Sequence, residues 1–549
     1  MTERQKEDSF VLEEWETWYT FSTYLDSSSY DLEKLAREIV GSELSDCAIL
    51  SSGRTFCRSV EGVISGVTLV EVSGDKKEAS ITFKHEYKEA PHLTPYARES
   101  YYAGSQFLYA QERQVAYIDD FPAPHIRAFL RPFEFIKQEE RRTSVYPILV
   151  FYSTGVLTIE FRIIGPSKPI DVKDFITNFI NVYQCDYDCV LTPVALGTLA
   201  PVASCIYENQ EGSLLNRRKI VKNRKRNQAA YAQLSRMVSF GDFEFKMAPL
   251  TKSTGSETFT SVAQTLFAVV GYLASKPSSD IKYLLEGIPM LPSIGKYWSG
   301  RPHVHIIRHS NQQDTSAENE AQHKNSFGQM LARSHDRDKD FSSFVPENSR
   351  AFSDFSAYIT PAVTLWVWAK NGLSQQIPSP DPNRGYFIYE HQVQAEVLEY
   401  GFMLYKSLAN KSKELKDYAD IISIRKNLAD LKIKMLEASS YGEVRNLLNK
   451  GWGRMNLPVI EAQISENLTI LESEIKFLES KRTDNFRALL TTLGLIISAS
   501  FSTSIVNPAW KALDFWLPTD ANLAELYLVF ISAILIMALI ALLKRITYS

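Results

Sequence analysis

The pattern of apolar and polar positions changes character along the chain. From about residue 10 to 210, short apolar runs alternate with turn residues. Val67 to Val72 and Ser80 to Lys84 flank Ser73-Gly74-Asp75-Lys76, while Ile148 to Tyr152 and Val156 to Ile164 flank Ser153-Thr154-Gly155, so both stretches predict β-hairpins. Asp171 is placed to cap a helix whose Val172, Phe175, Ile176, Phe179 and Ile180 share one face. Strands followed by covering helices predict an α+β layer with a largely antiparallel sheet.

Residues 240 to 373 read as a second soluble lobe. Val262 to Ala274 is an apolar helix too short to cross a bilayer, Val304 to Ile307 a short strand, and the polar stretch 310 to 345 a long mobile loop. Ser374 to Gly385, with Pro378, Pro380 and Pro382, predicts a stiff linker. Beyond it the period becomes helical, through Val393, Val397, Tyr400 and Leu404 and then Ile421, Ile424, Leu428, Leu431 and Met435. Tyr441-Gly442 and Gly451-Trp452-Gly453 read as breaks. From Pro458 onward, Ile464, Leu468, Leu471, Ile475 and Leu478 alternate by four and three, the seam of a coiled coil or bundle, with no breaker before Val506.

Two apolar runs close the chain, Ala488 to Val506 and Leu523 to Leu543, each about 20 residues and so long enough for roughly 30 Å of hydrocarbon. Lys476, Lys481, Arg482 and Arg487 precede them and Lys544 and Arg545 follow, which by the positive-inside rule puts both termini in the cytoplasm. The expected fold is therefore an α+β cytoplasmic region, a helical stalk and a C-terminal two-helix transmembrane hairpin in a multi-pass inner-membrane protein. Its divisions are 1–215, a sensor-like region; 216–385, a second lobe; 386–486, helical hairpin and stalk; and 487–549, the spans. Hydroxyls at Thr491, Thr492, Ser498, Ser500, Ser502, Thr503 and Ser504 leave the first run no purely apolar face, which predicts a homo-oligomer packed around it. The alternative is that they bond back to carbonyls one turn earlier. Extending the seam points Asn485, Leu489, Thr492, Ile496, Ala499 and Thr503 at a central pore.

Composition narrows the function classes. A net charge of −4 argues against nucleic acid as an obligate partner, and five cysteines are too few for a disulfide framework. Cys185 and Cys189 read as structural thiols. The sharpest charge feature is Arg-Arg-Lys-Ile-Val-Lys-Asn-Arg-Lys-Arg at 217–226. Its Arg217, Arg218, Lys222, Arg224 and Arg226 are candidate contacts for a phosphate-bearing small molecule, against the alternatives of a solvated helix start or a lipid-headgroup surface. His303 and His305 share a strand face and offer two imidazoles to a metal or an anion, but no third ligand stands at a recognisable spacing. No Walker loop, zinc-protease motif or nucleophile elbow is present.

The order of a cytoplasmic α/β domain, helical hairpin, long stalk and two C-terminal spans resembles the CorA family of divalent-cation channels. The family's Gly-Met-Asn signature is absent, with Val506-Asn507-Pro508-Ala509-Trp510 in its place. The chain looks more like the divergent CorA-like membrane effectors of type III CRISPR antiviral defence. That resemblance implies a ligand-gated membrane effector or ion channel, a nucleotide second messenger as ligand and a pentamer. The alternatives are a divalent metal cation (Mg, Zn or Co) transporter and a membrane-anchored enzyme with a site near His303 and His305.

Overall fold

The computed structural model describes residues 10–500, apart from 26–29, 69, 74–79, 84–91, 115–121, 138–140, 166–167, 183–184, 209–213, 251–256, 276–297, 337, 377–383, 414, 416 and 440–441. The chain forms two compact units, one of residues 1–410 with 426–462 and the other of 411–425 with 463–549.

The first unit is α+β, built on a large mixed sheet. Its spine runs Arg236–Phe240, Phe243–Pro249, Cys189–Pro193, Phe133–Lys137, Arg141–Tyr152, Val156–Ile164, Val11–Tyr24, Trp298–His309, Thr364–Trp368 and Phe355–Ile359. A branch leaves Arg141–Tyr152 through His125–Leu130 to Ser45–Leu50 and Arg54–Arg58. Neighbours on the spine pair antiparallel except at His303–Ile306, which runs parallel to Thr364–Val367. The expected hairpin Arg141–Tyr152 with Val156–Ile164 forms, and the other pairs Val70–Ser73 with Ser80–Phe83, while Val67 and Thr68 pair with Arg54–Arg58 instead. Asp171 caps its helix by accepting the Asp174 N–H.

Val11–Tyr24 is the axis of the sheet, because side chains alternate faces along a strand. Trp15, Tyr19 and Phe21 point into the main hydrophobic core, where Trp15 meets Phe175 and Phe179. Helices Leu32–Gly41, Val194–Glu208, Phe259–Ser275 and Ser316–Ala332 cover this face. Phe259–Ser275 buries Val262, Ala263, Phe267, Gly271, Tyr272 and Leu273, which lie around most of its circumference and explain its apolar run without a bilayer. Glu16, Trp18, Thr20 and Ser22 point to the other face, which is polar.

The stretch expected to be a long loop instead holds the helix Ser316–Ala332. Thr315 and Glu318 form a reciprocal capping box, and that Thr-x-x-Glu spacing is legible in the sequence. Replacing Thr315 by Ala is expected to cost about 1 kcal/mol in urea unfolding; an unchanged midpoint would show that packing alone holds this helix end. Gly451-Trp452-Gly453 does not break a helix either, since Gly442–Arg454 runs through it. A Cβ on Gly451 would sit 2.5 Å from Leu398 Cδ1, so this glycine permits close packing. The chain turns at Asn456, which adopts a left-handed φ of 59°.

No helix among the described residues is long and apolar enough to cross a membrane. This overturns the expected two-helix hairpin, and with it the multi-pass inner-membrane placement and the ion-channel description. The helix Leu457–Ser500 carries charge as far as Arg487. Its long apolar run begins only after Arg487, and residues 501–506 lie outside the described residues. The run Leu523 to Leu543 lies outside the described residues. Thr491 and Thr492 donate to the carbonyls of Arg487 and Ala488, at 2.9 and 2.8 Å. Hydroxyls satisfied inside their own helix need no neighbouring helix.

Candidate functional site

The polar face of the sheet is covered by the helix Arg384–Lys411, here called the cap helix, with Phe107 of the helix Pro95–Gln114 beside it. The side chains that meet there come from separated parts of the sequence. Strand register places Trp18 opposite Arg162 on one side and His303 on the other, and Thr20 opposite Glu160 and Arg301. His303 and His305 pair in parallel with Thr364 and Trp366. Tyr389, Gln392, Glu396 and Glu399 recur every three or four residues along the cap helix and face this surface.

Three arginine–carboxylate pairs organise the layer. Arg127 bonds Glu396 through both guanidinium nitrogens, at 2.7 and 2.6 Å. Arg301 reaches Glu399 Oε1 through Nε at 3.1 Å and Nη2 at 2.9 Å. Arg162 grips Glu16 at 2.9 and 2.8 Å and reaches the Tyr389 hydroxyl at 3.3 Å. Arg127 also lies over the Phe107 ring, 4.0 Å from its centroid. Between the pairs, Gln392 donates to Glu160 Oε1 at 2.8 Å, while its own Oε1 lies 3.0 Å from His303 Nδ1. His303 Nε2 lies 3.3 Å from Glu399 Oε1. Arg301, His303, Glu160, Gln392 and Glu399 are each at most 1 % exposed, so water is excluded.

Several polar atoms of the layer have no hydrogen-bond partner, among them both ring nitrogens of His305, Nδ1 of His391, Nε1 of Trp366, Oγ1 of Thr364 and one oxygen each of Glu160 and Glu399. The rings of His305, Trp366 and His391 lie within 1° of parallel, with His305 4.6 Å from Trp366. Burial drives the charge off these imidazoles. It holds His305 well below the ordinary histidine range, helped by His391, and takes His391 down to about 3, helped by Arg350. Burial and then Glu396 push Glu160 well above the carboxylate range.

No family model matches the chain, and no curated protein or solved structure matches it either.

The sequence-predicted residues fall in different places. Arg217, Arg218, Lys222, Arg224 and Arg226 all lie on one helix, Leu214–Leu234. Arg218, Lys222 and Arg226 are exposed and, at four-residue spacing, share a face, while Arg224 is half-buried. Farther along, Tyr231 anchors the helix by donating to the Leu250 carbonyl at 3.0 Å. His303 and His305 do share a strand face, but one is bonded to Gln392 and Glu399 while the other stacks on Trp366. Among the described residues no three His, Cys, Asp or Glu side chains are grouped to hold a metal. Cys185 and Cys189 are free and half-buried. Asn485 and Thr492 are exposed and Leu489 is half-buried on Leu457–Ser500; the side chains of Ile496 and Ala499, and all of Thr503, lie outside the described residues.

Sequence reasoning missed the layer itself. One signal was available: Tyr389, Gln392, Glu396 and Glu399 form a polar stripe on a helix whose Val393, Val397 and Leu398 are buried too. Such a helix has no free face left for water, so its polar stripe has to be buried.

Proposed function

We propose that the chain is a ligand-responsive effector, in which a phosphate-bearing small molecule, a nucleotide in the simplest case, shifts the cap helix on its polar seat. The observation that carries this is the contrast between the two faces of that helix. Toward the sheet it is held mainly by ion pairs and by hydrogen bonds of the Gln392 side-chain amide, with Tyr389 stacked on Phe107 and Tyr400 on Tyr152 beside them. Away from the sheet it packs closely, with Gly401 under Met435 and Leu398 against Gly451. A polar seat is the plane along which such an assembly parts. Ions leaving it regain hydration, whereas separating an apolar contact costs about 25 cal/mol for each Å² exposed. The chain passes from the cap helix at Lys411 directly into the second unit, so a displaced cap has a covalent route onward.

An enzyme is not favoured, because every histidine of the layer is buried. The cationic face of Leu214–Leu234 supplies the candidate anchor for ligand phosphates, where each charge-assisted hydrogen bond contributes about 1.5–3 kcal/mol when water is partly excluded. Hydrogen exchange in residues 388–405, followed across a panel of mono-, di- and cyclic nucleotides, tests the proposal. An active ligand is expected to change exchange there, and Arg218→Glu with Lys222→Glu and Arg226→Glu to abolish the response without altering ligand-free exchange. A panel that leaves residues 388–405 untouched at millimolar concentration would sink it.

A further inference from the structure

Among the described residues, the charges of the sealed layer do not cancel as they stand. Glu16, Glu160, Glu396 and Glu399 bring four carboxyl groups, while Arg127, Arg162 and Arg301 bring three guanidiniums. One positive charge is missing from a place where an unbalanced charge costs several kcal/mol. The hydrogen bonds point to where it resides. His303 has oxygen at both ring nitrogens, Gln392 Oε1 and Glu399 Oε1. Gln392 in turn is committed on its other side to Glu160. An imidazole between two acceptors has to donate twice and so carries the extra proton. The same geometry is satisfied if the Gln392 amide is turned over: Glu160 then donates an O–H to the amide oxygen, and the amide N–H donates to a neutral His303.

We infer that the Glu160–Gln392–His303 chain holds one proton in common, and that the cap helix is seated only while that proton is bound. In either arrangement the layer is neutral, with three guanidiniums and one proton against four carboxylates. The position of Glu160, buried and beside Glu396, favours the acid form. The other described groups named here do not supply the charge. His305 and His391 are held neutral by burial, and Tyr152, Tyr389 and Tyr400 keep their protons for the same reason. Arg350 is already paired with Asp354 and Glu443, and Arg333 donates to the Ala362 carbonyl. His125 makes a useful contrast. Its ring nitrogens also lie near two oxygens, Ala123 O and Gln111 Oε1, but it has no carboxylate to hold the amide in place and burial lowers it to about 3.

The shared proton belongs to the seat itself, whatever ligand acts on it. In the unfolded chain above about pH 7 that proton is lost to solvent. The parent therefore releases one proton more on unfolding than Glu160→Gln, in which three carboxylates already match three guanidiniums. Urea unfolding of the full chain between pH of about 7 and about 9 reads this directly. The ratio of the parent's unfolding constant to the variant's is expected to rise about tenfold per pH unit. A ratio independent of pH overturns the inference. If Glu160→Gln does not fold, the parent alone suffices at pH of about 8. Infrared spectra with ¹³C-glutamate should show a protonated carboxylic acid, or NMR with ¹⁵N-histidine a doubly protonated ring. Either result places the proton, and finding neither excludes it.

Discussion

Arg127→Met is expected to destabilise the α+β unit by about 3–5 kcal/mol, the cost of leaving a buried carboxylate without its counter-charge. Arg127 and Glu396 are each about 4 % exposed, and their two short bonds join the strand His125–Leu130 to the cap helix. Removing the guanidinium strands Glu396 beside Glu160, and the two carboxyls then oppose each other's ionisation. The double variant Arg127→Met with Glu396→Leu should recover most of the loss, since apolar residues of similar size replace buried ion pairs at little cost or with a gain. That recovery separates a polar seat kept for its register from one kept for its strength. Urea unfolding, with exchange of residues 388–405 as local readout, makes the measurement. A single-variant loss below about 1 kcal/mol would mean that water reaches Glu396 and that the layer is not sealed.

Acid is expected to unseat the cap. His391 titrates near 6.5 in an unfolded chain and at about 3 in the fold, because burial and Arg350 oppose its charge. The unfolded state therefore binds more protons throughout the window between those values. Stability conferred by the neutral ring is fully present above about 6.5 and declines as the pH falls toward 3. At 1.36 kcal/mol per pH unit, His391 alone removes about 2 kcal/mol by a pH of about 5. His305 is displaced in the same direction and adds to the loss. His391→Phe keeps an aromatic ring against Phe355 and Trp368 and removes the titration. Its unfolding midpoint should fall less steeply than the parent's between pH of about 6.5 and 4. Parallel profiles would show that His391 meets water in the fold. Glu160 acts with the opposite sign, because its raised value withdraws stability as pH climbs. The two effects leave a maximum between them.

Local features were largely legible. The hairpins around Ser73-Gly74 and Ser153-Thr154-Gly155, the cap at Asp171 and the long helix after Pro458 all follow from turn chemistry and period, which depend on near neighbours in the chain. The helix Ser316–Ala332 was readable from Thr315 and Glu318 and was hidden only by the polarity around them. Gly451 misled because a glycine marks close approach as well as a break. The apolar end of the chain misled in another way: hydropathy alone suggested a membrane hairpin that no described helix supports.

By itself the sequence determined the α+β character of the first unit, several of its hairpins and helices, and the cationic run at 217–226. Those depend on period, turns and charge within a few residues. Only the tertiary structure decided that Val11–Tyr24 would be the axis of the sheet, and that Arg127, Glu160, His303 and Glu399 would share one sealed layer. Arg127 and Glu396 stand 269 residues apart. Their meeting is set by strand order and by the rotation of the cap helix, and both are chosen by the burial of apolar surface elsewhere in the unit. A pattern of neighbours along the chain carries no record of that choice.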